Sequence, residues 1–527
     1  MAHLQTDVLV IGGGATGAGV ARDAAMRGFD VILVERKDLA EGTTGRFHGL
    51  LHSGGRYAVK DPRSARECMD ENRVLRHIAA DCIEDTGGFF VLLPGDDPSY
   101  ADAFAAGCID ATIPAEEVGV GVALRREPRL TPRSQRVFEV PDAGIDAWKT
   151  VWACARSALE HGAKVLPYHP VVSVHSNDGR ITGARVRDER RDEDVDISAD
   201  FVINASGAWA GELADLAGLK EISVLPGKGI MIAMNHRVVN TVINRLVMPS
   251  DGDIIVPIRT VSVIGTTDIR VADPDELPIT QAEVDQMLDD GERLVPGFRE
   301  LRALRVWAGA RPLFQFDSEE LSSTRDVSRS HTLIDHRERD EVDGFLTITG
   351  GKFTTFRKMA EETVDAMCEQ LGASRPCSTA EEPLPDSEGG AYYRLGSRLA
   401  GREETLHDDQ LICECELITR RRLEEAIERR ATTNLDDIRR TLRLGMGPCQ
   451  GGFCIYRSAG VMHAIAHLDH ATANGALSDF LHERWKGVWP ILYGDGWRQS
   501  RFDDWVYQGL LDVGHLPPRD RLERQRG

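Results

Sequence analysis

A glycine triad set between a buried strand and a helix constrains this chain more than any other feature. Asp7–Ile11 reads D-V-L-V-I, a short apolar run of strand length. It passes directly into Gly12-Gly13-Gly14-Ala15-Thr16-Gly17, then into a stretch of small residues that ends at Gly28. In that setting Gly12 permits a tight turn, Gly14 lets the backbone approach a pyrophosphate, and Gly17 lets helix and strand pack closely. The helix N-terminus then faces the phosphates with unpaired N–H groups. Val31–Val34 supplies the next strand, and Glu35 ends it where a ribose-binding carboxylate belongs. The result is a βαβ dinucleotide unit at the start of an α/β chain.

The rest of that sheet is expected from distant parts of the sequence. Phe201–Ala205 runs into Ser206-Gly207, and Phe345–Thr349 runs into Gly350-Gly351-Lys352. Between them, Asp253–Ile258 and Ser262–Thr266 alternate as an antiparallel hairpin would. A Rossmann-like domain interleaved with an antiparallel-sheet substrate domain follows. This split sheet and the late glycine pair favour FAD in an extended pose over a free nicotinamide. The expected division is a nucleotide domain over 1–373, with substrate parts at about 80–160 and 222–340. A linker rich in Pro, Ser, Gly and Glu over 374–406, a small helical module over 407–475 and a Trp-rich tail over 476–527 complete it. The tail's tryptophans are expected to pack against something.

A chain of 527 residues is too long for one core. Its net charge of −21 argues against nucleic acid as a partner. No apolar run is long enough to span a membrane. The polar Met1–Asp7 leads straight into a strand, so no signal peptide is expected. The expected compartment is the cytoplasm, unless partners carry the chain to a membrane.

Six of the ten cysteines are scattered, but four come in pairs: Cys413 and Cys415, then Cys449 and Cys454. The segments read L-I-C-E-C-E and G-M-G-P-C-Q-G-G-F-C. Four thiolates on glycine-rich loops suit a 2Fe–2S cluster, because backbone amides can reach the sulfurs. A structural zinc ion is the alternative, although its paired ligands are usually more widely spaced than Cys-x-Cys. Chance clustering is the third reading. On the substrate side, His52 and Arg56 flank glycines in His52-Ser53-Gly54-Gly55-Arg56-Tyr57. Arg311, Arg329 and Lys352 are further cations beside small residues. Guanidinium forks fit phosphate, so these residues could form an anion pocket, or each could be an ordinary salt-bridge residue.

Long segments of the chain resemble the FAD-dependent glycerol-3-phosphate dehydrogenases, and among them the A subunits of the anaerobic enzymes. They include V-I-G-G-G-A-T-G-A-G-V-A-R-D, T-G-R-F-H-G-L-L-H-S-G-G-R-Y-A-V, I-T-G-G-K-F-T-T-F-R-K-M-A-E, L-I-C-E-C-E and G-M-G-P-C-Q-G-G-F-C. The resemblance implies a D-amino-acid-oxidase-like fold with a C-terminal BFD-like 2Fe–2S domain. It implies FAD contacts at Gly12, Gly14, Gly17, Glu35, Arg36, Thr43, Thr44, Arg46, Gly207, Gly350 and Gly351. Substrate contacts and catalysis would fall on Arg56, Arg311, Arg329 and Lys352, with His52 a candidate base. The cluster would be held by Cys413, Cys415, Cys449 and Cys454.

The activity implied is oxidation of sn-glycerol 3-phosphate to dihydroxyacetone phosphate. Electrons would leave through the cluster to two partner subunits, one a second flavoprotein and the other a membrane-associating iron–sulfur protein, and finally to quinone. The chain would then sit at the cytoplasmic face of the membrane through its partners. One departure stands out: Gly227-Lys228-Gly229-Ile230-Met231 lacks the histidine that aerobic relatives carry shortly after a Lys-Gly pair. An amine or opine dehydrogenase component is the rival reading, since such complexes pair the same two kinds of module.

Overall fold

The computed structural model describes residues 2–219, 222–314, 330–404 and 409–515. Its first sheet places five strands in parallel, in the order Lys164–Pro167, Val31–Glu35, Ala2–Ile11, Glu193–Asn204 and Phe345–Gly350. The three separated stretches expected from the sequence therefore meet. An antiparallel hairpin, Val171–Asn177 with Arg180–Asp188, pairs with the early half of Glu193–Asn204. His331–Asp335 closes the opposite edge.

Helices Ala15–Met26, Ala147–Glu160 and Phe356–Leu371 share one apolar core with the sheet. Small residues permit this: a Cβ at Gly19 would lie 3.1 Å from Ala360 Cβ and from the Phe356 ring. The first helix stops as expected, with Gly28 left-handed at φ +81° and its N–H donating to Ala25 O.

The second sheet is mostly antiparallel. It runs from Ile269–Arg270 through Val224–Met234, Val261–Gly265, Ile254–Ile258, Val242–Arg245 and Gly88–Leu92 to Arg136–Val140 and Glu116–Val118. Ala303–Phe314 also pairs along Val224–Met234. The expected hairpin is present, Ile258 pairing with Val261 across an Arg259-Thr260 turn. Two segments inside the expected substrate boundaries sit with the nucleotide sheet instead. Ala147–Glu160 packs in its helical layer, and His331–Asp335 is one of its strands. Sequence spacing cannot separate them, because the chain crosses between the sheets several times.

The 374–404 stretch, read as a linker, is strapped to the nucleotide domain. Leu384 is fully buried, and its N–H donates to Ile78 O. The buried Arg22 guanidinium donates to Thr379 O and Glu382 O.

The last module has a short two-strand ladder and four helices, Arg420–Arg430, Leu435–Leu442, Cys454–Ile465 and His470–Val488. The fourth helix crosses the expected boundary at 475, and its Leu477 and Phe480 complete the module's core. The tail contributes Tyr507 to that core, but Trp485, Trp489, Trp497 and Trp505 are exposed in this chain. Their packing expectation is therefore not met within the described residues.

Candidate active site

One cavity of about 990 Å³ runs from the glycine turn to the cationic residues. Gly12, Gly14, Glu35, Arg36, Thr43, Thr44, Arg46, Gly207, Gly350 and Gly351 line it. His52, Arg56, Arg311 and Lys352 line its other end. Gly17 does not face the cavity, because its work is packing: a Cβ there would stand 1.8 Å from Gly12 O. Arg329 lies outside the described residues.

The nucleotide end is a cradle that side chains would fill. Gly12 is left-handed at φ +113°, and a Cβ would lie 2.6 Å from Ala205 O. Gly14 begins the first helix, where unpaired N–H groups favour an anion. Ala15 N donates to Thr44 Oγ1 at 3.0 Å, and Thr43 Oγ1 donates to Ala310 O at 2.6 Å. The two threonines thereby pin the 43–46 loop over the helix start.

Glu35 accepts from Gly13 N at 2.7 Å and from Lys37 N at 2.9 Å. Burial raises its pKa against these donors. Arg36 is committed to a clasp: it pairs with Asp275 at 2.6 Å and stacks on Trp209 at 4.2 Å. Trp209 Nε1 donates to the same carboxylate. These features fit an extended dinucleotide, with pyrophosphate at the helix N-terminus and ribose at Glu35.

At the cationic end both arginines are salt-bridged and still line the cavity. Arg56 meets Asp253 at 2.7 Å and donates to Ser250 O at 3.1 Å. Arg311 meets Asp268 at 3.0 Å, donates to Thr267 O at 2.9 Å and also bonds Thr266 Oγ1. The buried carboxylates aim the guanidinium forks, while Lys352 Nζ lies 4.7 Å over the Tyr57 ring. Lys228, of the Lys-Gly pair that precedes the missing histidine, is buried against Glu283 at 2.9 Å and Pro278 O at 2.6 Å. It ties Val224–Met234 to the helix Gln281–Leu294 and contributes no base.

Sequence reasoning missed His48. It lines the cavity, is buried, and its Nδ1 accepts from Leu50 N at 3.2 Å. That hydrogen bond leaves the proton of the neutral ring on Nε2. Burial, with the charges of Arg56 and Arg311, lowers its pKa to about 3. His52 is lowered well below the usual range by burial, His48, Arg56 and Lys352. The only signal for His48 in the sequence is its spacing in F-H-G-L-L-H; its tautomer depends on a backbone contact that a sequence does not display.

The four paired cysteines come together. Cys415 Sγ lies 3.9 Å from Cys449 Sγ, close to the roughly 3.8 Å between two thiolates on one tetrahedral metal. Cys454 interacts with both Cys413 and Cys449. Backbone N–H groups of Glu416 and Gly445 reach Cys413, and those of Gly451 and Phe453 reach Cys449. Gly447 must be glycine, because a Cβ would meet Cys415 Cβ at 2.2 Å. Linked thiol pairs with amide donors suit a two-iron group, whereas closed zinc gathers all four ligands on one ion.

This module docks on both sheets. Fully buried Asp38, three residues beyond Glu35, pairs with Arg440 at 2.7 Å and with Arg430. On the other side Arg302 donates to Pro448 O at 2.8 Å. The hairpin Ile254–Ile258/Val261–Gly265 joins the two centres. Ile254 and Thr266 line the cavity, and Thr260 at its turn lies against the cysteine loop. Each arm spans about 17 Å at strand rise.

Comparison with known proteins agrees with this geometry. Residues 7–365 match the FAD dependent oxidoreductase family, and residues 411–463 match the BFD-like [2Fe-2S] binding domain. The chain is 45% identical over 531 residues to the A subunit of the anaerobic glycerol-3-phosphate dehydrogenase of Escherichia coli (strain K12), covering 97% of each. It is 42% identical to the corresponding A1 subunit of Haloferax volcanii, covering 97% of this chain and 91% of that one. The fold is similar to the glycerol-3-phosphate dehydrogenase of Bacillus halodurans complexed with FAD. That likeness has a TM-score of 0.57 at 22% identity and covers 96% of this chain and 94% of the other. The chain belongs to the FAD dependent oxidoreductase family, and within it to the group of anaerobic glycerol-3-phosphate dehydrogenase A subunits.

Proposed function

We propose that this protein oxidises sn-glycerol 3-phosphate to dihydroxyacetone phosphate and passes the electrons out through its cysteine module. The observation that carries the reading is the single cavity joining a dinucleotide cradle to Arg56, Arg311 and Lys352. FAD, when bound, supplies the two-electron acceptor for the hydride at C2.

The chain's own residues do the rest. Arg56 and Arg311, aimed by Asp253 and Asp268, hold the phosphate dianion together with Lys352. Arg329 is a further contact in this reading. His52, kept neutral, takes the proton of the C2 hydroxyl. His48 Nε2–H donates to the oxygen on which charge develops. Tyr57 and the small sheet of Leu50–Leu51, Ala143–Ile145 and Ile83–Glu84 keep this wall rigid.

Cys413, Cys415, Cys449 and Cys454 are the ligands of the [2Fe–2S] group and the electron exit. A partner flavoprotein subunit and a membrane-associating iron–sulfur subunit receive the electrons for quinone. Among the described residues no helix is long and apolar enough to cross a membrane, so attachment to the cytoplasmic face runs through those partners. The test is anaerobic reduction by a substrate panel. Bleaching by glycerol 3-phosphate, with none by proline, sarcosine or opines, supports the reading; the reverse pattern replaces it with an amine or opine dehydrogenase.

A further inference from the structure

Thr260 sits at the turn of the hairpin that joins the cavity to the cysteine loop. Its Oγ1 is buried and has no hydrogen-bond partner among the described residues. A buried hydroxyl is normally satisfied, so an orphan beside a cofactor site points to the missing group as its partner. The Cβ position of Gly447 is 3.3 Å from Thr260 Oγ1 and 3.0 Å from Cys415 Sγ. Because residue 447 is glycine, the slot between hydroxyl and sulfur stays open. The other donors that reach the sulfurs, from Glu416, Gly445, Cys449, Gly451 and Phe453, are backbone amides of the module itself. Thr260 comes from the substrate sheet.

We propose that Thr260 Oγ1–H donates a hydrogen bond to sulfur of the [2Fe–2S] group and raises its reduction potential. Reduction adds negative charge to the cluster sulfurs, and a hydrogen bond to them strengthens with that charge. The donor therefore stabilises the reduced form more than the oxidised form. The inference rests on the four-cysteine cluster and does not depend on which substrate reduces the flavin.

The test compares wild-type holoprotein with Thr260→Val, which keeps the shape, and Thr260→Ser, which keeps the donor. Mediated redox titration with dithionite, followed by EPR, reads the potential without any substrate. Thr260→Val is expected to keep its iron and EPR signal while its potential falls by about 59 mV, a tenfold change for a one-electron couple. Thr260→Ser is expected to match the wild type. Pulsed EPR of the reduced wild type in D₂O is expected to show an exchangeable deuteron that Thr260→Val lacks. An unchanged potential in Thr260→Val overturns the proposal. If Thr260→Val fails to hold iron, the same two readings on Thr260→Ala decide it. A wild type without iron would instead overturn the cluster assignment, and absence of substrate bleaching would affect only the proposed activity.

Discussion

His48 and His52 stand with ring centroids 6.1 Å apart on one wall of the cavity, and only His48 has a fixed tautomer. In the proposed mechanism the pair divides two tasks that one histidine could not perform together. His48 presents Nε2–H, and His52 presents a lone pair that burial, and then its cationic neighbours, keep unprotonated.

The pH dependence follows from that arrangement. The folded-state pKa of His52 lies below its unfolded value near 6.5, so the base form persists as pH falls. With saturating substrate, the flavin reduction rate at pH 5.5 should stay within about twofold of that at pH 7.5. A single ionisation centred near pH 6.5 in stopped-flow traces would remove His52 as the base.

The same burial makes stability fall in acid. Below about pH 6.5 the unfolded chain binds a proton that folded His48 refuses until its own pKa of about 3. Between those limits His48 contributes a loss of about 1.4 kcal/mol per pH unit. His48→Asn should flatten the denaturant-measured stability profile by that slope between pH 6 and 4. Equal slopes for the two proteins would contradict the buried neutral ring.

Arg311→Ala removes a phosphate fork and leaves buried Asp268 without its guanidinium partner. The expected loss is about 2–4 kcal/mol in transition-state stabilisation, roughly 30- to 1,000-fold in kcat/KM. Steady-state kinetics with glycerol 3-phosphate read this directly. An unchanged kcat/KM takes Arg311 out of the site.

The glycines separate packing from binding. Gly17→Ala places a methyl 1.8 Å from Gly12 O and should prevent stable folding of the nucleotide domain. Gly14→Ala meets only Thr44 Oγ1, at 3.2 Å, so the chain should fold and hold FAD more weakly. Circular dichroism and flavin content of the purified variants distinguish the two outcomes.

Much of this was legible in the sequence because it is local. The Gly12–Gly17 turn, the Glu35 carboxylate and the two cysteine pairs each occupy a few consecutive residues; Gly12, Gly14 and Glu35 line the cavity, and Cys415 meets Cys449. What was hidden depends on contacts between distant segments. Ala147–Glu160 follows substrate strands yet packs on Ala15–Met26, and Lys228 finds Glu283 across the sheet–helix gap. The carboxylates that aim Arg56 and Arg311 come from the second sheet, so an arginine pocket could be anticipated but not its geometry. The strap over 374–404 read as a linker because its buried positions, Thr379, Leu384, Pro385, Ser387 and Tyr393, follow no helical or strand period.

Asp38 couples the cofactor loop to the cysteine module through Arg430 and Arg440. Asp38→Asn removes one carboxylate from two buried guanidinium groups that keep Asp437 as a partner, at a cost of about 1.5–3 kcal/mol. Flavin reduction by substrate should survive while reduction of the cluster slows. Rapid-mixing absorbance at flavin and thiolate–iron bands checks both.

The most direct test of the account is anaerobic mixing of the holoprotein with sn-glycerol 3-phosphate, followed at both sets of bands. Flavin bleaching is expected first, with loss of thiolate–iron absorbance after it. In Cys449→Ser the first phase should remain and the second should disappear. Bleached flavin beside an unchanged wild-type cluster, or no bleaching with glycerol 3-phosphate at all, would contradict it.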